Sequence, residues 1–559
     1  MTAPLPADLL DPALLDPALL DRVVLRHWRQ GQCEALTGRD FWQRVTARAA
    51  WVEAHTPPGG LVLVIGATGA EAMALFLGIA AAGRLGAFFP PASPLQDQRH
   101  FFDQQRAALA AIAPDAICVL EAATAETVRR IDPDLARAVR LAPATATGDS
   151  VAALDALRAR LASDAPLFVQ HSSGTTGIKK AVAISGRMLA GQFAAYWPGL
   201  RAELGVGRLS VASWLPLYHD MGLIAGFLLP MLGGDSVSLL DPFEWIGAPG
   251  RFLEMIEADG CDIAWMPNFA FRHFTRLHRA LKPARLGSMK LWIDCSEPCR
   301  LVDAKDFEAA FAGWGVRPGS VVGCYAMAET VFAVSQGSPA ERIGLAVPPD
   351  VTPGQMVPEG WLGDEAPPGR KLVLSSGRVL PGVTLAVFDG ERVLPEGNYG
   401  EIGLRAPFLF GGYRGGAGPS PDGWFRTGDL GVVLRSQVFV FGRLKEIIIV
   451  NGKNLFAGDV EAALAGIPGL RPGRAVAFGV ESAQTGSEEL VVVAEQDETA
   501  GTPAAESRAA ISRMLTETFL VKPRDVRIVA DRWLVKSTSG KISRDANRRR
   551  YLEQFRSPE

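Results

Sequence analysis

The sequence predicts an α/β protein: a large N-terminal domain of parallel-rich sheets flanked by helices, carrying a small β-rich subdomain, then a smaller α+β C-terminal domain. Three observations predict it. From about Asp40, short apolar runs alternate with stretches of helical period, as buried parallel strands joined by helices require. Pro and Gly then crowd residues 339–370, and a series of β-like runs follows. Past GRLKE (442–446) the chain reads strand, helix, strands, helix, strand.

Taken in order, residues 1–35 read as a lead-in. They include a tandem LLDPA repeat with a proline in each unit, which disfavours a continuous helix. No basic segment followed by an apolar run marks a signal peptide. The large domain is expected over 36–442. FWQRVTARAAWVEAH (41–55) has helical period, LVLVIG (61–66) suits a buried strand, AEAMALFLGIAAAG (70–83) a helix, and LGAFFPP (85–91) and AICVLEA (116–122) further strands. The pattern recurs at LSVASWLP, SVSLLDP, DIAWMPN, MKLWIDC and VVGCYAMAE. The segment 339–370 reads as an insertion or long loop. LAVFD, GEIGLRA, VFVFG and EIIIV give the β-rich unit. Residues 443–559 form the C-terminal domain, with helices at VEAALAGI and SRAAISRMLTETF between strands.

Composition narrows the function. The 559 residues are 48% hydrophobic and 21% charged, with net charge -3, so the chain is globular without the basic footprint of a nucleic-acid binder. The apolar runs 72–83 and 221–234 are too short to span a bilayer and read as buried helices. Six scattered cysteines and seven histidines form no zinc-spaced or HExxH set. The cysteines read as reduced thiols of a cytoplasmic protein. VIGATGAEA (64–72) loosely fits a dinucleotide fingerprint. No clear acidic partner ends the next strand, so it reads as a strand-to-helix turn.

The stretch HSSGTTGIKKAVAIS (171–185) has too little bulk to pack a core. Its small residues let backbone N–H groups approach an anion, its hydroxyls add donors, and Lys179 and Lys180 add charge. It lacks the GK[ST] ending of a Walker loop. It resembles the phosphate-binding signature of the adenylate-forming enzymes (acyl-CoA synthetases, peptide-synthetase adenylation domains, luciferases). Four further stretches follow in that superfamily's order: WLPLYHDMGLIAG (214–226), YAMAE (325–329), GWFRTGDLG (423–431) with GRLKEIIIVNGKN (442–454), and STSGKISR (537–544). The match covers nearly everything after about residue 35.

The resemblance implies a reaction in which a carboxylate attacks the α-phosphorus of ATP, giving acyl-AMP and pyrophosphate, before transfer to a thiol. It implies that Ser172, Ser173, Gly174, Thr175, Thr176, Gly177 and Lys180 hold the β- and γ-phosphates, and that Glu329, with Thr175, holds Mg²⁺. Tyr325 would stack on adenine, beside Ala326 and Met327, with Ser296, Glu297 and Pro298 along the base. Asp429 offers two acceptors to the ribose diol, and Arg443 a donor. Lys541 would bridge carboxylate and α-phosphate. Lys445 falls at the hinge about which the C-terminal domain would be mobile.

Within the superfamily, three stretches resemble the fatty acyl-AMP ligases. HDMGLIAG would put His219 at the acyl-adenylate junction. MPNFAF (266–271) would put Asn268 and Phe269 beside an acyl tunnel, with Ala326 near the acyl group. The Pro/Gly-rich segment followed by SSGRVLPG (375–382) sits at that branch's insertion. This implies transfer to the phosphopantetheine thiol of an acyl carrier protein, with CoA as the alternative acceptor. Ala326, Ala181 and Val535 depart from the family pattern. A methyl near the acyl site would narrow the pocket, toward a short or functionalised acid.

Overall fold

The computed structural model describes residues 20–91, 105–106, 108–131, 135–143, 150–172, 180–348, 351–368, 370–414, 416, 418–450, 453–482, 487–536 and 542–555. The expected lead-in is corrected from Leu20 onward. Val23–Arg29 pairs in parallel with Ser236–Leu240 and antiparallel with Gln32–Thr37. These strands form one edge of a 14-stranded sheet. Val24, Leu25 and Leu36 enter the main core, so their apolar positions are accounted for by packing. The repeat at 9–18 lies outside the described residues.

Thr37 starts the first long helix, Gly38–His55, through a capping box with Asp40. The hydroxyl accepts the Asp40 N–H, and the Asp40 carboxylate accepts the Thr37 N–H, satisfying donors that a helix start leaves open. That helix packs on Ala70–Ala81, whose residues Ala72–Ala80 are all buried. Gly78 permits the approach: a Cβ there would lie 2.8 Å from Arg48 Cβ.

A second sheet of six strands carries the Ser/Thr/Gly stretch. Its order is Val139–Leu141, Ala116–Val119, Leu61–Ile65, Leu85–Phe89, Pro166–Ser172, Lys180–Ser185. Only the last pair is antiparallel, with Ser172 opposite Lys180. The turn at 64–72 reads as expected, a tight strand-to-helix link. A Cβ on Gly69 would meet the His27 ring at 2.8 Å, and the Thr68 N–H donates to Asp241 at 3.2 Å.

The β-rich unit is not a separate sheet. Thr384–Asp389, Gly400–Arg405, Phe425–Leu434 and Gln437–Arg443 continue the 14-stranded sheet through Ala333–Gln336 and Arg378–Val379. The 339–370 segment is more ordered than a loop. Gly344–Val347 pairs with Leu362–Gly363 and with Lys371–Leu374. Leu345, Val347 and Val357 share a core with Val432 and Phe439. Past Arg443, Ile447–Val450 and Lys453–Phe456 form a hairpin, and Leu470–Ser482, Ser487–Gln496 and Asp525–Val529 a three-stranded sheet. Their own core gathers Ile448, Val460, Leu490, Val492 and Leu515.

Candidate active site

The site forms where three chain segments converge beside the antiparallel pair of the six-stranded sheet. Ser173 to Gly177, and Lys541, lie outside the described residues. Ser172 pairs through its backbone with Lys180. The Lys180 ammonium stands 4.4 Å from the centre of the Tyr413 ring, a cation–π geometry. Tyr413 is held against the same strand, bridging Val182, while the Arg414 N–H donates to the Ala181 carbonyl at 3.0 Å.

The Tyr413 hydroxyl donates to Oε1 of Glu329. Glu329 follows strand Val321–Ala326 in a single turn, Ala328–Thr330. Val331, next in sequence, sits at φ 66°, a left-handed conformation that costs a β-branched residue dearly. Its surroundings over-determine it. The Phe332 N–H donates to Thr330 O at 2.7 Å, the Met327 N–H to Phe332 O at 2.8 Å, and Gln170 Nε2 to Val331 O at 3.0 Å. Glu329 is thus held 9% exposed. Burial pushes its carboxyl upward, the Tyr413 hydrogen bond opposes this, and the nearby Asp220 adds to the rise.

Asp220 belongs to the His219 stretch. His219 Nδ1 lies 2.6 Å from Asp220 Oδ1, which also accepts the Met221 N–H at 2.8 Å and caps the π-helix Met221–Leu228. All eight residues of that helix are buried, as the apolar run predicts. A Cβ on Gly222 would lie 2.3 Å from the Pro216 carbonyl, so only glycine permits this turn. π-Helical turns of this kind recur at functional sites.

Strand pairing sets the second half of the site. Asp429 lies opposite Arg443 in register. Its Oδ1 accepts from Arg443 Nε at 3.1 Å and its Oδ2 from the Tyr325 hydroxyl at 2.6 Å. Gly428, at φ 73°, makes the bend that turns Asp429 inward. Burial pushes the Asp429 carboxyl up against the pull of Arg443 and Tyr325. Burial and Asp429 together push the Tyr325 phenol well above its ordinary range. Tyr325 is 7% exposed. Lys445 and Arg443 are exposed where the chain leaves this strand.

The expected base and acyl residues are linked to each other. The Phe269 N–H, at the start of helix Asn268–Leu277, donates to Glu297 Oε2 at 2.9 Å. The Asn268 side chain donates to buried Asp294 at 2.7 Å. Ser296 adopts φ 73°, Pro298 is exposed, Met327 is buried and Ala326 is half-buried. The acid of Glu297 is therefore committed to a helix N-terminus, where the helix dipole favours it.

Tyr413, Asp220 and Gln170 were not singled out by motif. Tyr413 lies in FGGYRGG (410–416), whose Gly content signals only a turn. Asp220 stands beside His219 in the quoted stretch. Gln170 carries no sequence signal apart from its place before the loop.

A model of the AMP-binding enzyme family matches residues 17–414. The chain belongs to the AMP-binding enzyme family. Members of this family are adenylate-forming ligases that use ATP and a carboxylic acid, and this protein is one of them. A long-chain-fatty-acid--AMP ligase, FadD23 of Mycobacterium tuberculosis, is 27% identical over 545 residues, 92% of this chain and 90% of the relative. A 4-hydroxyphenylalkanoate adenylyltransferase of the same species is 26% identical, over 92% of this chain and 86% of its own. Among solved structures, a fatty acyl-adenylate ligase from a study of the E. coli and L. pneumophila enzymes superposes with TM-score 0.78 at 21% identity. It covers 98% of this chain and 97% of the other. That likeness confirms the α/β architecture with its smaller C-terminal domain. Among the described residues no helix is long and apolar enough to cross a membrane.

Proposed function

We propose that the protein activates a carboxylic acid of the fatty acyl class as acyl-AMP and passes it to the phosphopantetheine thiol of an acyl carrier protein. The observation that carries the first step is the convergence of Glu329, Tyr413 and Lys180 at the base of the Ser/Thr/Gly hairpin. The hairpin residues 172–177 and Lys180 would hold the β- and γ-phosphates, and Lys541 would bridge carboxylate and α-phosphate in the transition state. Asp429 and Arg443 would take the ribose hydroxyls, and Tyr325 would form one wall of the adenine site.

Mg²⁺ fits this donor set. Among the described residues no group of three metal-binding side chains occurs. Mg²⁺ ordinarily takes one or two carboxylates and completes its octahedron with phosphate oxygens and water. Glu329, with Thr175, would supply the protein ligands. When bound, the ion spreads positive charge over the phosphates.

The carrier-protein acceptor is supported by the resemblance of HDMGLIAG, PNFAF and SSGRVLPG. A contact across the domain boundary adds to it: Lys371 Nζ lies 2.8 Å from Asp459 Oδ2. It joins the strand closing the 339–370 segment to the first helix past the hinge and would oppose rotation about Lys445. The location that this reading requires is the cytoplasm, where ATP and reduced carrier thiols are available.

Product mass spectrometry tests the reading, using purified protein, ATP, Mg²⁺ and a panel of acids, with CoA or phosphopantetheinylated carrier protein. Acyl-AMP that persists with CoA and is consumed by the carrier thiol is expected. Efficient acyl-CoA formation would replace the acceptor and leave adenylation standing. No adenylate from any acid would overturn the reading.

A further inference from the structure

The C-terminal domain contains a buried asparagine that no motif marks. Asn547 lies in the last helix, Arg544–Phe555, and is fully buried. Its carboxamide is committed entirely to backbone. Oδ1 accepts the Val535 N–H at 2.8 Å, and Nδ2 donates to the Val535 carbonyl at 2.9 Å and to the Ser543 carbonyl at 2.7 Å. The Ser543 N–H donates to the same Val535 carbonyl at 3.0 Å, and Lys536 bridges Ile542 in antiparallel fashion. One side chain thus joins the two stems of the segment 537–541, which carries Lys541 and lies outside the described residues.

Packing of the helix does not require an amide here. Tyr551, one turn further along the same face, enters an apolar core with Leu534 and Val493. An apolar side chain at 547 would extend that core without burying polar atoms. Asparagine supplies what no apolar residue can, a donor and an acceptor side by side, and pairs with the N–H and C=O of Val535 as a neighbouring strand would. Its orientation is fixed, because a reversed amide would set its NH₂ group against the Val535 N–H. The approach to the segment is held in the same way. The Leu534 N–H donates to Glu495 Oε1 at 2.8 Å, and Arg550 Nη1 to the Trp533 carbonyl at 2.6 Å. Glu495 is itself fully buried, in strand Ser487–Gln496.

From this we infer that Asn547 is a positioning residue for Lys541. By setting the separation of Val535 from Ser543 it fixes both ends of the segment that carries the lysine. The inference rests on the adenylation reading given above, in which Lys541 bridges the carboxylate and the α-phosphate. Asn547 itself touches no substrate. Its leverage is geometric: a displacement of about 1 Å in a reacting group can cost about 10²-fold in rate.

The test is pyrophosphate release by the purified full chain, with ATP, Mg²⁺ and the acid that the native protein turns over fastest. Asn547→Leu removes all three hydrogen bonds. It should lower kcat by about 10–100-fold and leave the KM for ATP within about threefold of native, since the proposed nucleotide residues other than Lys541 belong to the large domain and its last strand. Should Asn547→Leu fail to fold, Asn547→Gln carries the test. It keeps both donors and the acceptor but moves them by one methylene, and the same loss of kcat is expected with a melting temperature close to native. In a Lys541→Ala chain either change should lower kcat by less than about twofold, because the group being positioned is gone. Tyr551→Phe removes a hydrogen bond to Asp525 from the same helix. It should lose stability and keep the native kcat. Native kcat in a folded Asn547→Leu or Asn547→Gln chain overturns the inference. So does a loss that multiplies in full with that of Lys541→Ala, or an equal loss in Tyr551→Phe. If Lys541→Ala alone keeps the native rate, the adenylation reading of Lys541 fails first, and this inference falls with it.

Discussion

The Tyr325 hydroxyl donates to Asp429 Oδ2 at 2.6 Å, tying the strand that leads to Glu329 to the strand pair that ends at Arg443. The other oxygen of Asp429 holds Arg443. The carboxylate is therefore shared between the two halves of the proposed nucleotide site. A group held by two donors is pre-oriented, so binding loses less entropy in fixing it.

Tyr325→Phe removes one donor from a buried acceptor and should destabilise the fold by about 1–3 kcal/mol. It frees Asp429 to turn, so the KM for ATP should rise about tenfold, within the range of one lost charge-assisted hydrogen bond. Asp429→Asn should give a similar or larger rise. Pyrophosphate exchange against ATP concentration measures both, and an unchanged KM in both variants would place the ribose elsewhere.

Much of this was legible in sequence, for a physical reason. Asp429 and Arg443 stand out through the TGDLG and GRLKE stretches that resemble the family, while the pairing that brings them opposite one another passes a register shift between Leu430 and Gly431 that alternation alone does not specify. Buried strands such as Leu61–Ile65 declare themselves by unbroken apolar runs. What sequence could not give depends on contacts distant in the chain. Tyr413 reaches Glu329 across 84 residues, and no local pattern encodes that. Val23–Arg29 reads as lead-in in sequence because the repeat before it dominates the composition, and its parallel partner strand begins more than 200 residues later. The 339–370 segment reads as loop because Pro and Gly hide two short strands, Gly344–Val347 and Leu362–Gly363.

Glu329 gives a pH dependence. Its carboxyl is pushed above the ordinary value of about 4.3 by burial. As pH falls it takes up a proton earlier than an exposed glutamate, and a protonated acid is a poor Mg²⁺ ligand. Adenylation should therefore fall on the acid side at a higher pH than ordinary glutamate chemistry gives. Glu329→Gln should cut kcat by about 10²-fold, in the range lost with a single electrostatic stabiliser, and abolish that acid limb. The linkage to stability has the opposite sign. The folded state binds this proton more tightly than the unfolded chain, so the contribution is full below about pH 4 and is lost as pH rises through the raised pKa. Thermal melts of native protein and Glu329→Gln across pH 4–8 should therefore diverge as pH rises, the variant holding its stability better.

Arg544 follows Lys541 by three residues and opens the last helix, Arg544–Phe555. Its guanidinium donates to Glu461 at 2.9 and 2.7 Å and lies 2.7 Å from Glu446, the neighbour of the proposed hinge residue Lys445. Arg544→Met leaves both carboxylates unpaired in a partly screened site, at a cost of about 2–4 kcal/mol. The C-terminal domain should melt earlier, and Glu461→Gln in the same chain should recover part of the loss. Calorimetry of the two variants decides this. Full stability of Arg544→Met would show that the network is solvated and incidental.

Lys371 and Asp459 make the last prediction, because they link strand Lys371–Leu374 to helix Ala457–Ala463, beyond the proposed hinge. The ammonium lies 2.8 Å from the carboxylate and 4.3 Å from the centre of the Phe456 ring, also beyond the hinge. Lys371 is 16% and Asp459 32% exposed, so solvent screens the pair in part. A double-mutant cycle of Lys371→Met and Asp459→Asn should give a coupling of about 1 kcal/mol. If this contact opposes domain rotation, either single change lowers the cost of reaching the second arrangement by the same amount. CoA-dependent consumption of acyl-AMP should then rise by about fivefold, since 1.4 kcal/mol corresponds to tenfold, while acyl-AMP formation keeps its native rate. Coupling without any gain in CoA turnover would assign the pair to stability alone and move the barrier against CoA to another part of the inserted sheet.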